Sequence, residues 1–319
     1  MREPPVVLLM GPTASGKTGL AMALAQRLAE RATPAEIVSV DSAQVYRDMD
    51  IGTAKPDAAL RAAVPHHLID LCDPAEPYSA ARFVADARRA VAQIRSRGHV
   101  PLLVGGSMLY FRAYTGGLSD LPSADPALRA QLAARAREQG WPALHAQLGQ
   151  LDAASAARLH PNDGHRIQRA LEVVLSSGRP LSAQRAGSLP PQHAFDGVKL
   201  ALMPPDRARL HERIATRLEQ MLAQGFADEV RRLHARQDLH PGLPSIRSVG
   251  YRQLWAWMEG ECDLKQASQK ALEATRQFAK RQVTWLRSEH DPCWLNSDAP
   301  DAVDLALRRI DEWKPRSPC

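Results

Sequence analysis

The sequence is poor in cysteine, and its four copies, Cys72, Cys262, Cys293 and Cys319, lie far apart with no C-x-x-C pair. That spacing fits neither a zinc cluster nor the disulfide framework of a secreted protein, and a reducing, cytoplasmic setting is expected. Long apolar runs are missing as well. No window reaches about 18 uninterrupted apolar residues, which excludes a membrane-spanning helix. The apolar stretch from Val6 to Met10 stops at Gly11-Pro12, too early for the core of a signal peptide. Internal repeats, heptad runs and low-complexity segments beyond alanine richness are absent, so the default expectation is a monomer without membrane contact. What is present is ordinary for a globular protein. With 319 residues, 45% of them hydrophobic and 24% charged, the chain can bury a core of one large α/β domain carrying an insertion. A net charge of +6 permits a polyanionic partner through counterion release and does not require one.

Hydropathy patterning gives the organisation. Val6 to Met10 reads as a buried parallel strand, and Leu20, Leu24 and Leu28 mark one face of a helix from Lys17 to about Arg31. Ile37 to Val40 is a second strand ending on Asp41. Ser79 caps a helix whose Phe83, Ala87, Val91 and Ile94 share a face, with Gly98 as its stop. Val100 to Val104 is a third strand. Strand and helix in alternation predict a parallel sheet with helices on both faces. From Leu121 to about Gln192 only helical periodicity appears, with starts at Asp125-Pro126 and Asp152 and stops at Gly140 and Gly178-Arg179-Pro180. Residues 122–192 are therefore expected to form an all-helical insertion, and 1–121 with 193–319 the core domain. Lys199 to Met203 returns to the sheet. Helices from about Asp206 to Arg236 and from Asp263 to Arg287 follow, with a short one after Ser245 and a last strand at Cys293 to Leu295.

The sharpest signal is Gly11-Pro12-Thr13-Ala14-Ser15-Gly16-Lys17-Thr18, a full G-x-x-x-x-G-K-[ST] match between a strand and a helix. Its glycines let successive N–H groups converge on one phosphate at the positive end of a helix. Lys17 adds a point charge, and the Thr18 hydroxyl can ligate Mg²⁺. The fold class expected is thus α/β, a P-loop NTPase-like parallel sheet flanked by helices. A nucleotide hydrolase also needs a carboxylate at the end of a neighbouring strand. The third strand offers none, since it ends in Gly105-Gly106-Ser107; the second ends on Asp41-Ser42-Ala43-Gln44. All strand C-termini of a parallel sheet line one edge, so Asp41, Ser107 and the phosphate loop should converge. Asp41 is then either a general base or an outer residue of a magnesium site, and Ser107 either faces substrate or caps its loop.

Further motifs sharpen this reading. After the phosphate loop come Asp41-Ser42-Ala43-Gln44-Val45-Tyr46, Asp50-Ile51-Gly52-Thr53-Ala54-Lys55-Pro56, Gly105-Gly106-Ser107-Met108-Leu109-Tyr110, His160-Pro161-Asn162-Asp163, Arg169-Ala170-Leu171-Glu172, Ile246 to Arg252 and Lys280 to Arg287. In order and spacing, from Val6 to about Leu295, the chain resembles the tRNA dimethylallyltransferase family in its short bacterial form. Ser107 stands where that family usually has Thr, which keeps the hydroxyl, and the zinc finger of eukaryotic relatives has no counterpart. The resemblance implies that the loop holds the diphosphate of dimethylallyl diphosphate, with Mg²⁺, and that the prenyl group passes to the exocyclic amine of the adenosine 3′ of the tRNA anticodon. It implies Asp41 as base, Lys17 and Arg217 on the diphosphate, and Ser107 in the channel where the substrates meet. It further implies contacts to the anticodon stem-loop from Asp41, Ser42, Ala43, Gln44 and Ser107. Arg129 and the run His165, Arg166, Ile167, Gln168 and Arg169 are implied contacts in the insertion. So are Arg247, Ser248, Val249, Gly250, Tyr251 and Arg252, and Lys280, Arg281, Gln282, Val283, Thr284, Trp285, Leu286 and Arg287.

On a helical wheel Lys265, Gln269, Arg276, Lys280 and Arg287 share one side, beside the apolar Leu272, Ala279 and Leu286. That row is either a solvated stripe or a seat for a phosphate backbone. Trp255, Trp257 and Trp285 either stack on a flipped base or belong to the core. Two other functions fit part of the pattern. In a small-molecule or nucleoside kinase, Mg·ATP would fill the loop and Asp41 would deprotonate an acceptor hydroxyl. A nucleotide-dependent RNA-binding switch would bind without transfer chemistry.

Overall fold

Strand β1 (Val6–Met10) is buried at every position, as a continuous apolar run in the middle of a parallel sheet must be. The computed structural model describes residues 3–117, 125–186 and 195–314. In it β1 lies between β4 (Val100–Gly105) and β5 (Gly197–Met203); β2 (Ala35–Val40) and β3 (His66–His67) extend one edge and β6 (Cys293–Asn296) the other. The order is β3-β2-β4-β1-β5-β6 and every neighbouring pair is parallel. The short β3 was not expected from the sequence, because a two-residue strand carries no periodicity.

Helices α1 (Lys17–Glu30), α2 (Ala58–Ala63), α3 (Ala80–Ser96) and α4 (Met108–Gly116) come from the N-terminal part. The insertion contributes α5 (Pro126–Gln139), α6 (Trp141–Leu151), α7 (Ala153–Ala156), α8 (Gly164–Ser177) and α9 (Leu181–Ala186). The C-terminal part adds α10 (Arg207–Ala223), α11 (Phe226–His234), α12 (Tyr251–Met258), α13 (Leu264–Leu286) and α14 (Ala302–Asp311). Alternation along β1 splits the core. Val7 and Leu9 meet Leu20, Leu24 and Leu28 of α1 and Leu307 of α14, while Val6, Leu8 and Met10 join the cluster of Phe83, Val91 and Ile94 from α3 and Val230 and Leu233 from α11. Each fully buried leucine of this kind contributes about 1.5–3 kcal/mol. Ser79 caps α3 by accepting from the Arg82 N–H, and Gly98 follows with φ of 75°.

One expectation is corrected. The periodic stretch from Asp206 to Arg236 is two helices, not one, because Gly225 takes φ of 98° between them. An apolar stripe continuing through the break hides it in the sequence.

The chain divides into two compact units, Met1–Thr115 with Phe195–Cys319, and Gly116–Ala194. The expected boundaries at 121/122 and 192/193, and Cys319, lie outside the described residues. Described residues of the second unit are helical only. It has its own core of Leu132, Leu144, Leu148, Ile167, Leu171 and Val173. Asp152 caps α7 and binds Ser182 N–H and Oγ at 2.9 and 2.6 Å; burial disfavours its charged form, but these bonds hold its carboxyl at about 2. Among the described residues no helix is long and apolar enough to cross a membrane.

Candidate active site

The sheet register brings the chemistry to one edge. Gly105 stands opposite both Met10 and Val40, so Gly11, Asp41 and Gly106 leave their strands at one level. Gly105 has to be glycine: a Cβ there would lie 2.0 Å from the Val40 carbonyl oxygen. The phosphate loop closes through Ser15 N–H donating to Pro12 O at 3.3 Å, with Ala14 and Gly16 in the left-handed region at φ of 61° and 90°. Helix α1 starts at Lys17, whose amine donates to Pro12 O at 2.6 Å. Burial and the neighbouring Arg217 hold that amine down to about 7, with Asp41 pulling the other way. Arg217, on α10, is lowered by burial and supported by Asp41. Two half-buried cations around one carboxylate make a site short of negative charge, and a bound polyanion would relieve it.

Asp41 follows β2 directly. Its Oδ1 accepts from Ala43 N–H at 2.8 Å and Gln44 N–H at 3.3 Å, which fixes the carboxylate in a turn. Ser107 Oγ accepts from Ser42 N–H at 3.0 Å and lies 3.4 Å from Ser42 Oγ, so it ties the two strand ends together while lining the cavity. Gln44 is occupied: Oε1 accepts from Ser39 Oγ at 2.9 Å and Nε2 donates to the carbonyls of Thr53 and Ala54. Its amide therefore braces the Asp50–Lys55 loop while the residue lines the smaller cavity. Within that loop Lys55 is nearly inaccessible and bridges Asp50 at 2.5 Å and Asp70 at 2.6 Å.

Two supports were not legible as such in the sequence. Glu229, 1% exposed on α11, accepts from the N–H groups of Asp50, Ile51 and Gly52 at 2.9, 2.7 and 3.1 Å and from the Tyr251 hydroxyl at 2.6 Å. Gln282, 5% exposed on α13, accepts from Thr13 N–H at 2.9 Å and donates to Gly106 O at 2.8 Å. Partners 269 and 176 residues away leave no local pattern to find.

Around these residues lie two adjoining cavities. One of about 260 Å³ is lined by Gly16, Lys17, Thr18, Asp41, Gly106 and Arg217. The other, of about 400 Å³, shares Asp41, Arg217, Phe278 and Gln282 with it and adds the apolar Ile214, Leu218, Met221 and Phe226. Ser107, Arg247, Ser248, Val249 and Arg281 also line the larger one. The arrangement offers a polar, cationic lobe and an apolar lobe with one carboxylate common to both. Among the described residues no group of three or more His, Cys, Asp or Glu side chains could hold a metal. Thr18 is exposed at the smaller cavity.

The residues expected to meet RNA separate into two kinds. Lys280, Arg281 and Thr284 are exposed on α13 and Arg287 at its C-cap, as are Arg247 before α12, Arg252 on α12, and His165 and Arg166 on α8. Leu286, Tyr251 and Ile167 are instead core side chains, at 0%, 1% and 0% exposure, because helical runs turn every third or fourth residue inward. Gly250 is buried, and Val249 and Ser248 are half-buried. Val283 packs on Leu210 and Ile214, and Trp285 is half-buried with the Arg112 guanidinium 4.9 Å from its ring centre. Trp255 is a core residue whose indole donates to Glu259. In the second unit Arg129 forms a bidentate pair with buried Glu172 at 2.7 and 3.0 Å; Gln168 donates to Arg129 O, and Arg169 lies 3.5 Å from Glu172. On the cationic side of α13, Lys265, Gln269, Lys280 and Arg287 are exposed and Arg276 is half-buried.

Residues 44–289 match the IPP transferase family and residues 4–64 the isopentenyl transferase family. The tRNA dimethylallyltransferase of Cupriavidus taiwanensis is 56% identical over 97% of this chain and 96% of its own, and that of Bordetella parapertussis 56% identical over 93% and 94%. Among solved structures, the tRNA isopentenylpyrophosphate transferase of Bacillus halodurans shares 34% identity at a TM-score of 0.69, covering 98% of both chains. A eukaryotic dimethylallyltransferase acting on tRNA shares the fold at a TM-score of 0.80 and 24% identity, over 98% of this chain and 81% of that one. A phosphate loop facing a strand-end carboxylate, on a fold shared with these enzymes and in a sequence matched to them almost end to end, places this chain in the tRNA dimethylallyltransferase family.

Proposed function

We propose that this chain is a prenyltransferase that moves a dimethylallyl group from dimethylallyl diphosphate to the exocyclic amine of the adenosine 3′ of the tRNA anticodon, releasing diphosphate. The observation that carries the reading is the pair of joined cavities meeting at Asp41 and Arg217. The cationic lobe suits the diphosphate and the apolar lobe a five-carbon chain and a flipped base. The allylic C–O bond breaks with its electron pair going to the diphosphate, the adenine nitrogen forms the new C–N bond, and its proton passes to the Asp41 carboxylate. Charge develops on phosphate oxygens as the bond breaks. Lys17, Arg217 and the loop amides are placed to stabilise that charge more than the ground state. Apolar walls keep water from the allylic carbon, where it would otherwise be the acceptor.

Thr18 lines the smaller cavity with a hard oxygen donor that fits Mg²⁺, which would take its remaining ligands from phosphate oxygens and water. Bound there, Mg²⁺ would neutralise charge on the leaving diphosphate. Arg247, Arg252, Lys280, Arg281 and Arg287 supply exposed cations for the RNA backbone, and His165 and Arg166 do so on the helical unit. The target base must leave its stack to reach Asp41. In this reading the enzyme works as a monomer in the cytoplasm. A kinase, which could also use Asp41 as its base, is disfavoured by the apolar second lobe. The test is to incubate the purified protein with unmodified tRNA and labelled dimethylallyl diphosphate and to analyse the nucleosides. Label on N6-dimethylallyladenosine beside the anticodon is expected; phosphate transfer from ATP to a small acceptor, with unlabelled tRNA, would overturn the reading.

A further inference from the structure

Gln282 lies in the Lys280–Arg287 segment, among exposed cations, yet its side chain points inward and lines both cavities. Its amide spans two walls of the site. The carbonyl end takes the Thr13 N–H of the phosphate loop at 2.9 Å, and the NH₂ end holds the Gly106 carbonyl at 2.8 Å. Both bonds are buried or half-buried, so each side of the amide is committed. Gly106 is shaped for this: a Cβ there would stand 2.4 Å from Gln282 Nε2 and 3.3 Å from Gly11 O. The residue after Gly106 is Ser107, whose hydroxyl receives the Ser42 N–H beside Asp41. One amide thus links the phosphate loop to the turn that in turn supports the carboxylate loop.

Resting on the function proposed above, we propose that Gln282 is a positioning residue for the diphosphate and not an RNA contact. It acts in two ways. By anchoring Thr13 N–H it fixes the entry to the loop, and so the directions of the amides that follow from Ala14 to Thr18. By donating to Gly106 O it satisfies a carbonyl at the strand end that lines the same cavity, so that this oxygen is not left unpaired beside the anion. Preorganised amides matter because any reorientation on binding is subtracted from affinity. Helix α13 then serves both substrates, with its outward cations toward RNA and one inward amide toward the diphosphate site.

The test uses the full chain and a non-reactive thiodiphosphate analogue of dimethylallyl diphosphate, titrated at fixed Mg²⁺, with unmodified tRNA titrated separately. Gln282→Met keeps length and volume but makes neither bond; it should weaken analogue binding about tenfold, or about 1.4 kcal/mol. Gln282→Glu keeps an acceptor for Thr13 but sets a carboxylate against Gly106 O and beside the anion, so its loss should be larger. Gly106→Ala must displace the Gln282 amide, and its effect on analogue binding should be non-additive with Gln282→Met. tRNA affinity should stay within about twofold in all three. Weakened tRNA binding with intact analogue binding would make Gln282 an RNA contact and overturn the proposal. So would variants that bind both ligands like wild type and merely melt earlier. Analogue binding is read without turnover, so a wild-type protein that fails to prenylate tRNA would sink the proposed function separately.

Discussion

Raising the pH above about 7 should weaken binding of the diphosphate substrate, and Lys17 is the cause. In the free protein, burial and Arg217 hold its amine at about 7, so it is half neutral near physiological pH. A bound diphosphate would raise that value, because an anion favours the charged amine. The sign follows from proton uptake. Below about 7 the amine is charged in both states and affinity is flat; above it, binding must add a proton and affinity falls about tenfold per pH unit. At about pH 9 roughly 1% of free Lys17 is charged, so the dissociation constant should rise toward 100-fold, levelling off at the amine's value in the complex. The assay is calorimetric titration of the thiodiphosphate analogue at fixed free Mg²⁺ between about pH 7 and 9, above the diphosphate's own last ionisation at about 6. Lys17→Arg stays charged throughout and should flatten the profile. A flat wild-type profile, or an unchanged slope in Lys17→Arg, would refute the reasoning.

Three further outcomes concern the frame around the site. Glu229→Gln replaces a carboxylate that receives four donors with an amide whose NH₂ end faces some of them, and should cost about 2–4 kcal/mol in denaturant unfolding; a loss below about 0.5 kcal/mol would contradict the role. Glu36, buried at the start of β2, is disfavoured as an anion by desolvation, but bonds from Arg97, His67 and His99 outweigh this and bring it to about 2. A lowered carboxyl stabilises the fold above its unfolded value of about 4.5 and loses that support as pH falls toward about 2, a contribution of about 3 kcal/mol at most. Acid unfolding of Glu36→Gln should therefore be flatter over that window. At Gly52 a Cβ would lie 2.1 Å from Phe226 and 2.7 Å from Tyr251, so Gly52→Ala should destabilise by about 1–3 kcal/mol and lower the melting temperature.

The parts of this molecule that follow from local pattern were legible in the sequence. The loop at Gly11–Thr18 and the carboxylate at the end of β2 are fixed by short-range period and by the rule that parallel strands end on one edge. Arg217 has no local signature and came only from family likeness; α10 brings it beside Asp41. Gln282, and Glu229 in its bonds to the Asp50–Gly52 N–H groups, act through partners more than 170 residues away in the chain, a distance no window can read. The expected RNA segments were contiguous runs, whereas a helix presents a face. Leu286 lies four residues after Gln282, and both turn inward while Lys280, Arg281 and Thr284 turn out. Burial, not sequence adjacency, decides which of them can touch a ligand.

The most direct test of the central claim is single-turnover prenyl transfer by Asp41→Asn, with both substrates' affinities measured in parallel. The substitution keeps the side chain's size and an oxygen for the Ala43 and Gln44 N–H groups, and removes the base. A rate of C–N bond formation lowered about 10²–10⁴-fold is predicted, with tRNA and analogue affinities within a few-fold of wild type. An unaltered rate would contradict a mechanism in which Asp41 takes the adenine proton while the phosphate loop holds the leaving group.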